Sequence, residues 1–187
     1  LVGDALAVLD HLGLARVALV GYSIGSAVVL ELLRRRPAQF ERAVLVAAGD
    51  GLVGHPPLSF PLVLPDLARV FEREVYPADL PKHHAAYWKI LESVGGDRLA
   101  MRALAGGDYP PLSPDEAAAI DVPTLVISGE RDQVLGRGPR LAAALGRADY
   151  LEVASANHFA LAMDPIVRDA VARFLDVGPA RARKEFP

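Results

Sequence analysis

Ser23, Asp132 and His158 are the residues whose types and order could combine into chemistry. A serine hydroxyl is a weak nucleophile until a base removes its proton during attack. The base is usually a histidine, held in one tautomer and orientation by a carboxylate. Each of the three residues follows a predicted strand, at 17–20, 122–128 and 150–153. In a parallel sheet all three would lie beyond the carboxyl ends of strands, where loops converge. Asp50, after the run at 43–48, is the other carboxylate with a position to reach the histidine; Asp132 is the preferred acid. Alternatively, Asp132 caps a loop and His158 bonds a loop carbonyl. His11 belongs to the first helical pattern and is read as solvated. Ser26 is read as a small packing residue.

The serine stands in Gly21-Tyr22-Ser23-Ile24-Gly25, between a short valine-rich strand and a helix at 26–35. A serine at such a corner is held on a tight turn with its hydroxyl pushed beyond the sheet edge, the arrangement of a nucleophile elbow. The flanking glycines are expected to make room where strand and helix backbones crowd together. The helix N-terminus supplies free N–H groups and a positive dipole end. A tight glycine-rich turn without chemistry is the alternative, since five such residues also arise by chance.

The positioning elements follow from periodicity. Val2, Leu6, Leu9 and Leu12 mark a helix at 2–12 that Gly13 stops. Arg34, Arg35 and Arg36 close the helix after the serine, suited to its negative dipole end rather than to nucleic acid, and Pro37 forbids continuation. Continuous apolar runs at 17–20 and 43–48, separated by a helix, indicate a parallel sheet covered on both faces, and a third strand is read at 122–128. A shorter strand is read at 150–153 and a helix at 139–146. Asp164 caps a last helix with Pro165 at its first position and a buried stripe of Val167, Ala170, Val171 and Phe174. The basic tail at 179–187 reads as frayed.

Between 52 and 120 prolines and aromatics concentrate, with helical patterns near 65–75, 81–94 and 97–105. This reads as a helical insertion. His83-His84 could suggest a metal pair, but adjacent helix positions do not share a face, so a solvated surface is the reading and no metal is expected. His55 lies in the same stretch.

Length and composition bound the rest. A chain of 187 residues, 52% of them hydrophobic, suits one domain with a sizeable core. A net charge of −3 makes no electrostatic case for nucleic acid or an anionic membrane. No apolar run approaches the roughly 20 residues of a membrane span. The absence of cysteine excludes disulfides and thiolate metal sites. Arginine far outnumbers lysine and alanine is abundant, as in a GC-rich bacterial genome. A cytoplasmic location is the expectation. The opening residue is Leu1 inside a helical pattern, and upstream sequence is expected.

Three segments, Gly21–Gly25, Pro123–Asp132 and Asn157-His158-Phe159, resemble the catalytic segments of the α/β-hydrolase fold family. The resemblance covers essentially all of this chain and the later part of that family's domain. It implies an α/β fold with a mostly parallel sheet flanked by helices, a core at 1–51 and 121–187, and a helical cap at 52–120. It implies a serine hydrolase for a carboxylic ester or related acyl compound, with Ser23, His158 and Asp132 as the triad and the Ile24 N–H in the oxyanion hole. Carbon–carbon bond hydrolysis with the same triad and a non-catalytic ligand-binding member are the alternatives. Serine rather than aspartate at the elbow argues against epoxide or haloalkane hydrolysis. Tyr22, Trp88 and Phe159 are the expected substrate contacts, and Phe60, Phe71, Tyr87 and Trp88 suggest an apolar pocket, although such aromatics also serve as core. The expected partner is a small acyl substrate, without cofactor. In the family the elbow strand is internal. Strand 17–20 would be an apolar edge here unless upstream residues or a second copy of the chain, in a homodimer, cover it.

Overall fold

Central strands of a parallel sheet are buried on both faces, and one whole strand and the last four residues of another meet that condition. The computed structural model describes residues 1–54, 68–72, 82–107 and 109–176. Four strands, β1 (Val17–Tyr22), β2 (Phe40–Val46), β3 (Thr124–Gly129) and β4 (Ala148–Val153), form one parallel sheet in the order β1-β2-β3-β4. Every residue of β3 is buried, and β2 is buried from Ala43 to Val46. Their neighbours are more open: β1 alternates between partly buried and exposed residues from Val17 to Val20, and β4 exposes Asp149. Val20 on β1 is 52% exposed, so the edge expected at this strand is present in the described sheet.

The strands differ from the sequence reading mainly at their ends. β1 runs on through Gly21 and Tyr22 to the residue before Ser23. β2 starts at Phe40 and stops at Val46, because Ala47 turns to a positive φ of 52°. β4 begins at Ala148, which pairs with Thr124.

Helices cover the sheet. α1 (Val2–His11) has no buried residue. α2 (Ile24–Arg35) packs on β1 and β2 and buries Ser26, Val29, Leu30, Leu32 and Leu33. α2 thus starts two residues earlier than its apolar pattern suggests. In the same parallel register, Val44, Val46, Leu125 and Ile127 join Val153, Ala156, Leu161, Val167 and Ala170 in one apolar cluster, and Val171 and Phe174 pack against it. The last two pairs come from the C-terminal helix, whose expected cap is present: the Asp164 carboxylate accepts the Ile166 N–H at 2.7 Å.

The chain divides into two compact units, Leu1–Leu58 with Pro111–Pro187, and Ser59–Pro110. Residues 52–54 and 111–120, read from sequence as insertion, therefore belong to the first unit. The reason is local: the Leu112 N–H donates to the Leu52 carbonyl at 3.0 Å, and the Gly54 N–H donates to the Leu112 carbonyl at 2.8 Å.

The second unit contains α3 (Lys82–Ser93) and α4 (Arg98–Ala105). Asp97 caps α4 by accepting the Leu99 and Ala100 N–H groups at 2.7 and 3.2 Å. Val70, Phe71, Trp88, Leu91 and Ala105 form its core. His55, Phe60, most of the 65–75 pattern and the 179–187 tail lie outside the described residues, as do the side chains of His83, His84 and Tyr87. No described helix is long and apolar enough to cross a membrane. Three helices complete the numbering: α5 (Pro114–Ala118), α6 (Pro139–Ala144), which packs on β3 and β4, and α7 (Pro165–Phe174).

The arginines at the end of α2 have partners more specific than the helix dipole. Glu31 accepts two bonds from Arg34, both at 2.7 Å, and one from Arg35 at 2.6 Å. Arg36 reaches back to Asp10 on α1 at 2.6 Å. The Arg34 hydrogen bond, more than any other cause, lowers the Glu31 carboxyl to about 2. A carboxyl lowered on folding adds stability above its unfolded value and loses it as pH falls through the folded one. Glu31→Gln should therefore lower the urea midpoint at pH 6, and the gap to wild type should shrink by pH 2.5.

Candidate active site

Parallel register sets the strand ends side by side. Tyr22 stands opposite Val46, and Val46 opposite Ile127. Ser23, the β3–α6 loop and the loop after β4 consequently leave the same edge of the sheet.

The turn at Ser23 is built by backbone proximity. Ser23 adopts φ 54° and ψ −119°, a conformation that costs a residue with a side chain about 1–3 kcal/mol. Its N–H donates to the Val46 carbonyl at 2.9 Å, and its own carbonyl accepts the Ser26 N–H at 2.8 Å. Ser26 is fully buried and its hydroxyl lies 3.1 Å from both the Gly21 and Val46 carbonyls, so it ties the helix start to both strands. That agrees with its reading as a packing residue and adds a polar role. The two glycines of the motif are not equivalent. A Cβ on Gly21 would lie 2.4 Å from the Gly25 carbonyl oxygen, whereas among the described residues a Cβ on Gly25 would meet nothing within 4 Å. Only Gly21 is required by the crowding of strand and helix.

Asp132 and His158 are positioned by a second close approach. Gly129 ends β3, and a Cβ there would lie 2.3 Å from the Ala156 carbonyl oxygen. The two loops are laced together: Glu130 N–H donates to Val153 at 3.0 Å, Arg131 N–H to Ala156 at 2.9 Å, and the Glu130 carboxylate accepts the Ser155 N–H at 2.7 Å. Asn157 braces the next turn by accepting the Phe159 and Ala160 N–H groups at 3.1 and 3.0 Å. Gly129 and Glu130 stand inside the segment quoted above without a role assigned to them. A glycine at a strand end and an acid beside it gave only a weak signal, because the partner atoms are backbone groups about 25 residues away.

The three candidate side chains form one continuous chain. His158 Nε2 lies 2.8 Å from Ser23 Oγ, and His158 Nδ1 lies 2.8 Å from Asp132 Oδ2. The other carboxylate oxygen accepts the Val134 and Leu135 N–H groups at 2.9 and 3.1 Å. The Asp132 side chain is 0% exposed and that of His158 4%. A carboxylate accepts but does not donate, so Nδ1 carries the proton and Nε2 is left to accept from the serine hydroxyl. Asp50 is occupied elsewhere: its Oδ1 accepts the Arg140 and Leu141 N–H groups at 2.8 and 3.0 Å and caps α6.

Two aromatic rings flank the imidazole. Phe159 meets it edge-on at 5.5 Å between centroids and is 40% exposed. Tyr22 lies tilted at 5.8 Å, with its hydroxyl donating to the His158 carbonyl. Burial first, and the Asp132 carboxylate second, raise the Tyr22 hydroxyl above the usual phenol range. Ile24 is the first residue of α2, so its N–H has no intrahelical acceptor. Trp88, expected at the substrate, is 5% exposed in the core of the second unit and stacks on Phe71 at 6.0 Å. Its burial there is that of a core residue. Among the described residues no cluster of three or more histidines and carboxylates could hold a metal ion.

The family model for the alpha/beta hydrolase family matches residues 1–174. The chain belongs to the alpha/beta hydrolase family. Solved structures agree in fold with this alpha/beta hydrolase. Rv0554 from Mycobacterium tuberculosis is 23% identical, with 96% of this chain and 72% of that chain covered and a TM-score of 0.69. A hydrolase from Pseudomonas aeruginosa PA01 is 24% identical over 94% and 70% of the two chains, with a TM-score of 0.66. The 2-hydroxy-6-oxo-6-phenylhexa-2,4-dienoate hydrolase from Rhodococcus sp. strain RHA1 is 20% identical over 94% and 69%, with a TM-score of 0.60. No curated protein matches by sequence.

The contrast between the glycines is testable. Gly21→Ala should destabilise the fold by roughly 3 kcal/mol, since only backbone could give way. Gly25→Ala should be neutral or stabilising by up to about 1 kcal/mol, because alanine favours helix. Urea denaturation of both variants measures the difference.

Proposed function

We propose that this alpha/beta hydrolase is a serine hydrolase that cleaves a carboxylic ester or related acyl bond through an acyl-enzyme. The observation that carries this reading is the 2.8 Å contact between His158 Nε2 and Ser23 Oγ, with the imidazole backed by Asp132 at 2.8 Å. Ser23 Oγ attacks the acyl carbon while its proton passes to His158 Nε2. The Asp132 carboxylate stabilises the imidazolium and holds its tautomer. The Ile24 N–H, on the positive end of α2, faces the oxygen that becomes negative. Collapse of the tetrahedral intermediate breaks the bond to the leaving group, which takes the proton from His158. Water, deprotonated by the same nitrogen, then attacks the acyl-serine and regenerates the hydroxyl. Phe159, half-exposed beside the imidazole, offers apolar contact to the substrate.

The sequence alternative of a non-catalytic member differs in one respect: it needs no activated serine. Labelling by a fluorophosphonate separates the two. Ser23→Ala should abolish both labelling and turnover of a short p-nitrophenyl ester while cooperative unfolding persists; near wild-type turnover would exclude Ser23 as nucleophile. One fold neighbour is a 2-hydroxy-6-oxo-6-phenylhexa-2,4-dienoate hydrolase, so a substrate of that type belongs in the same assay panel.

Asp132→Asn should lower kcat strongly, by up to about 10⁴-fold if the imidazole takes the wrong tautomer as in the serine-protease triad. Asp50→Asn should leave kcat within a few-fold, because Asp50 caps α6. Steady-state kinetics on the two variants rank the acids, and the reverse ranking would overturn the assignment.

A further inference from the structure

We infer that Tyr22 is a positioning residue, whose hydroxyl grips the His158 main chain and holds the imidazole in line with Ser23. The inference rests on the serine-hydrolase reading above and concerns how its geometry is kept.

His158 must be fixed with respect to two partners that come from different strands. Towards Asp132 the fixing is abundant. The loop after β4 is bonded to the β3–α6 loop through Glu130, Arg131 and Ser155, independently of the imidazole. Towards Ser23 it is sparse. Among the described residues, two hydrogen bonds join the 20–26 stretch to the 154–160 loop. One is the reacting contact between Ser23 and His158, and the other is the bond from the Tyr22 hydroxyl to the His158 carbonyl.

A reacting hydrogen bond cannot serve as its own support. It breaks in every cycle, when the proton leaves Ser23 for the imidazole. The Tyr22 bond survives each of those steps, because neither the phenol proton nor the carbonyl takes part. Tyr22 directly precedes Ser23, so its ring and the nucleophile are carried by the same strand end. Its hydroxyl spans 136 residues to reach the His158 main-chain carbonyl and engages none of the reacting side-chain atoms. Burial and the neighbouring carboxylate keep that hydroxyl protonated, hence a donor, across the range of an esterase assay. The sequence suggested Tyr22 as a substrate contact; its hydroxyl is committed to the protein instead.

Tyr22→Phe removes the hydroxyl and keeps the ring against the imidazole. Misplacement of a reacting group by about 1 Å costs on the order of 10²-fold. The variant should lose about 10- to 100-fold in kcat and in the fluorophosphonate labelling rate, with KM unchanged. The downfield Nδ1 proton resonance of His158 should persist, since the Asp132 side is independently anchored, and should vanish in Asp132→Asn. A raised KM with kcat unchanged would make Tyr22 a substrate contact and overturn the inference. Wild-type kcat would overturn it too, and so would loss of cooperative unfolding, which would make the hydroxyl a requirement of the fold. An unlabelled, inactive wild-type protein would instead remove the serine-hydrolase reading on which it rests.

Discussion

A carboxylate can be buried only if its oxygens are hydrogen-bonded, and that constraint shapes the candidate active site of this protein. Asp132 is withdrawn from water and meets the requirement with two backbone N–H groups on one oxygen and His158 on the other. Removing any donor would leave a lone pair uncompensated in a medium of low dielectric. The same arrangement leaves His158 Nε2 as the acceptor that faces Ser23. Burial and chemistry thus depend on one set of contacts.

Those contacts are delivered by backbone proximity. Gly21 lets β1 touch the first turn of α2, and Gly129 lets β3 touch the loop after β4. At each place a side chain would displace main chain, and main chain in a packed sheet has little freedom. The buried hydroxyl of Ser26 belongs to the same device, spanning the carbonyls of two strands beneath the turn. The strained φ of Ser23 is therefore enforced by neighbours on several sides. The aspartates follow one rule with different results: Asp132 satisfies backbone donors and a histidine, whereas Asp50 turns an oxygen to the N-terminus of α6.

The arginine-rich end of α2 shows how a compositional signal acquires a specific meaning. Arg34 and Arg35 converge on Glu31, and Arg36 reaches Asp10. Exposed pairs of this kind contribute modestly one at a time. Together they give all three arginines acidic partners of the same chain.

The sequence by itself determined the fold class, the strand–turn–helix around Ser23 and the order in which Ser23, Asp132 and His158 leave a parallel sheet. Those features are written in local periodicity and in residue types beside strand ends. The family follows from the same segments and is borne out over residues 1–174. The tertiary structure alone decided that Asp50 caps a helix, that Gly25 is unconstrained where Gly21 is not, that Trp88 is core, and that residues 111–120 belong with the sheet. It alone brought the Tyr22 hydroxyl to the His158 carbonyl. The physical reason is the same in each case. Local patterning reports which face a residue presents, but the partner of a carboxylate, a hydroxyl or a missing Cβ is a main-chain atom tens of residues away. Main-chain atoms are identical in every residue, so they leave no trace in the sequence until register brings them together.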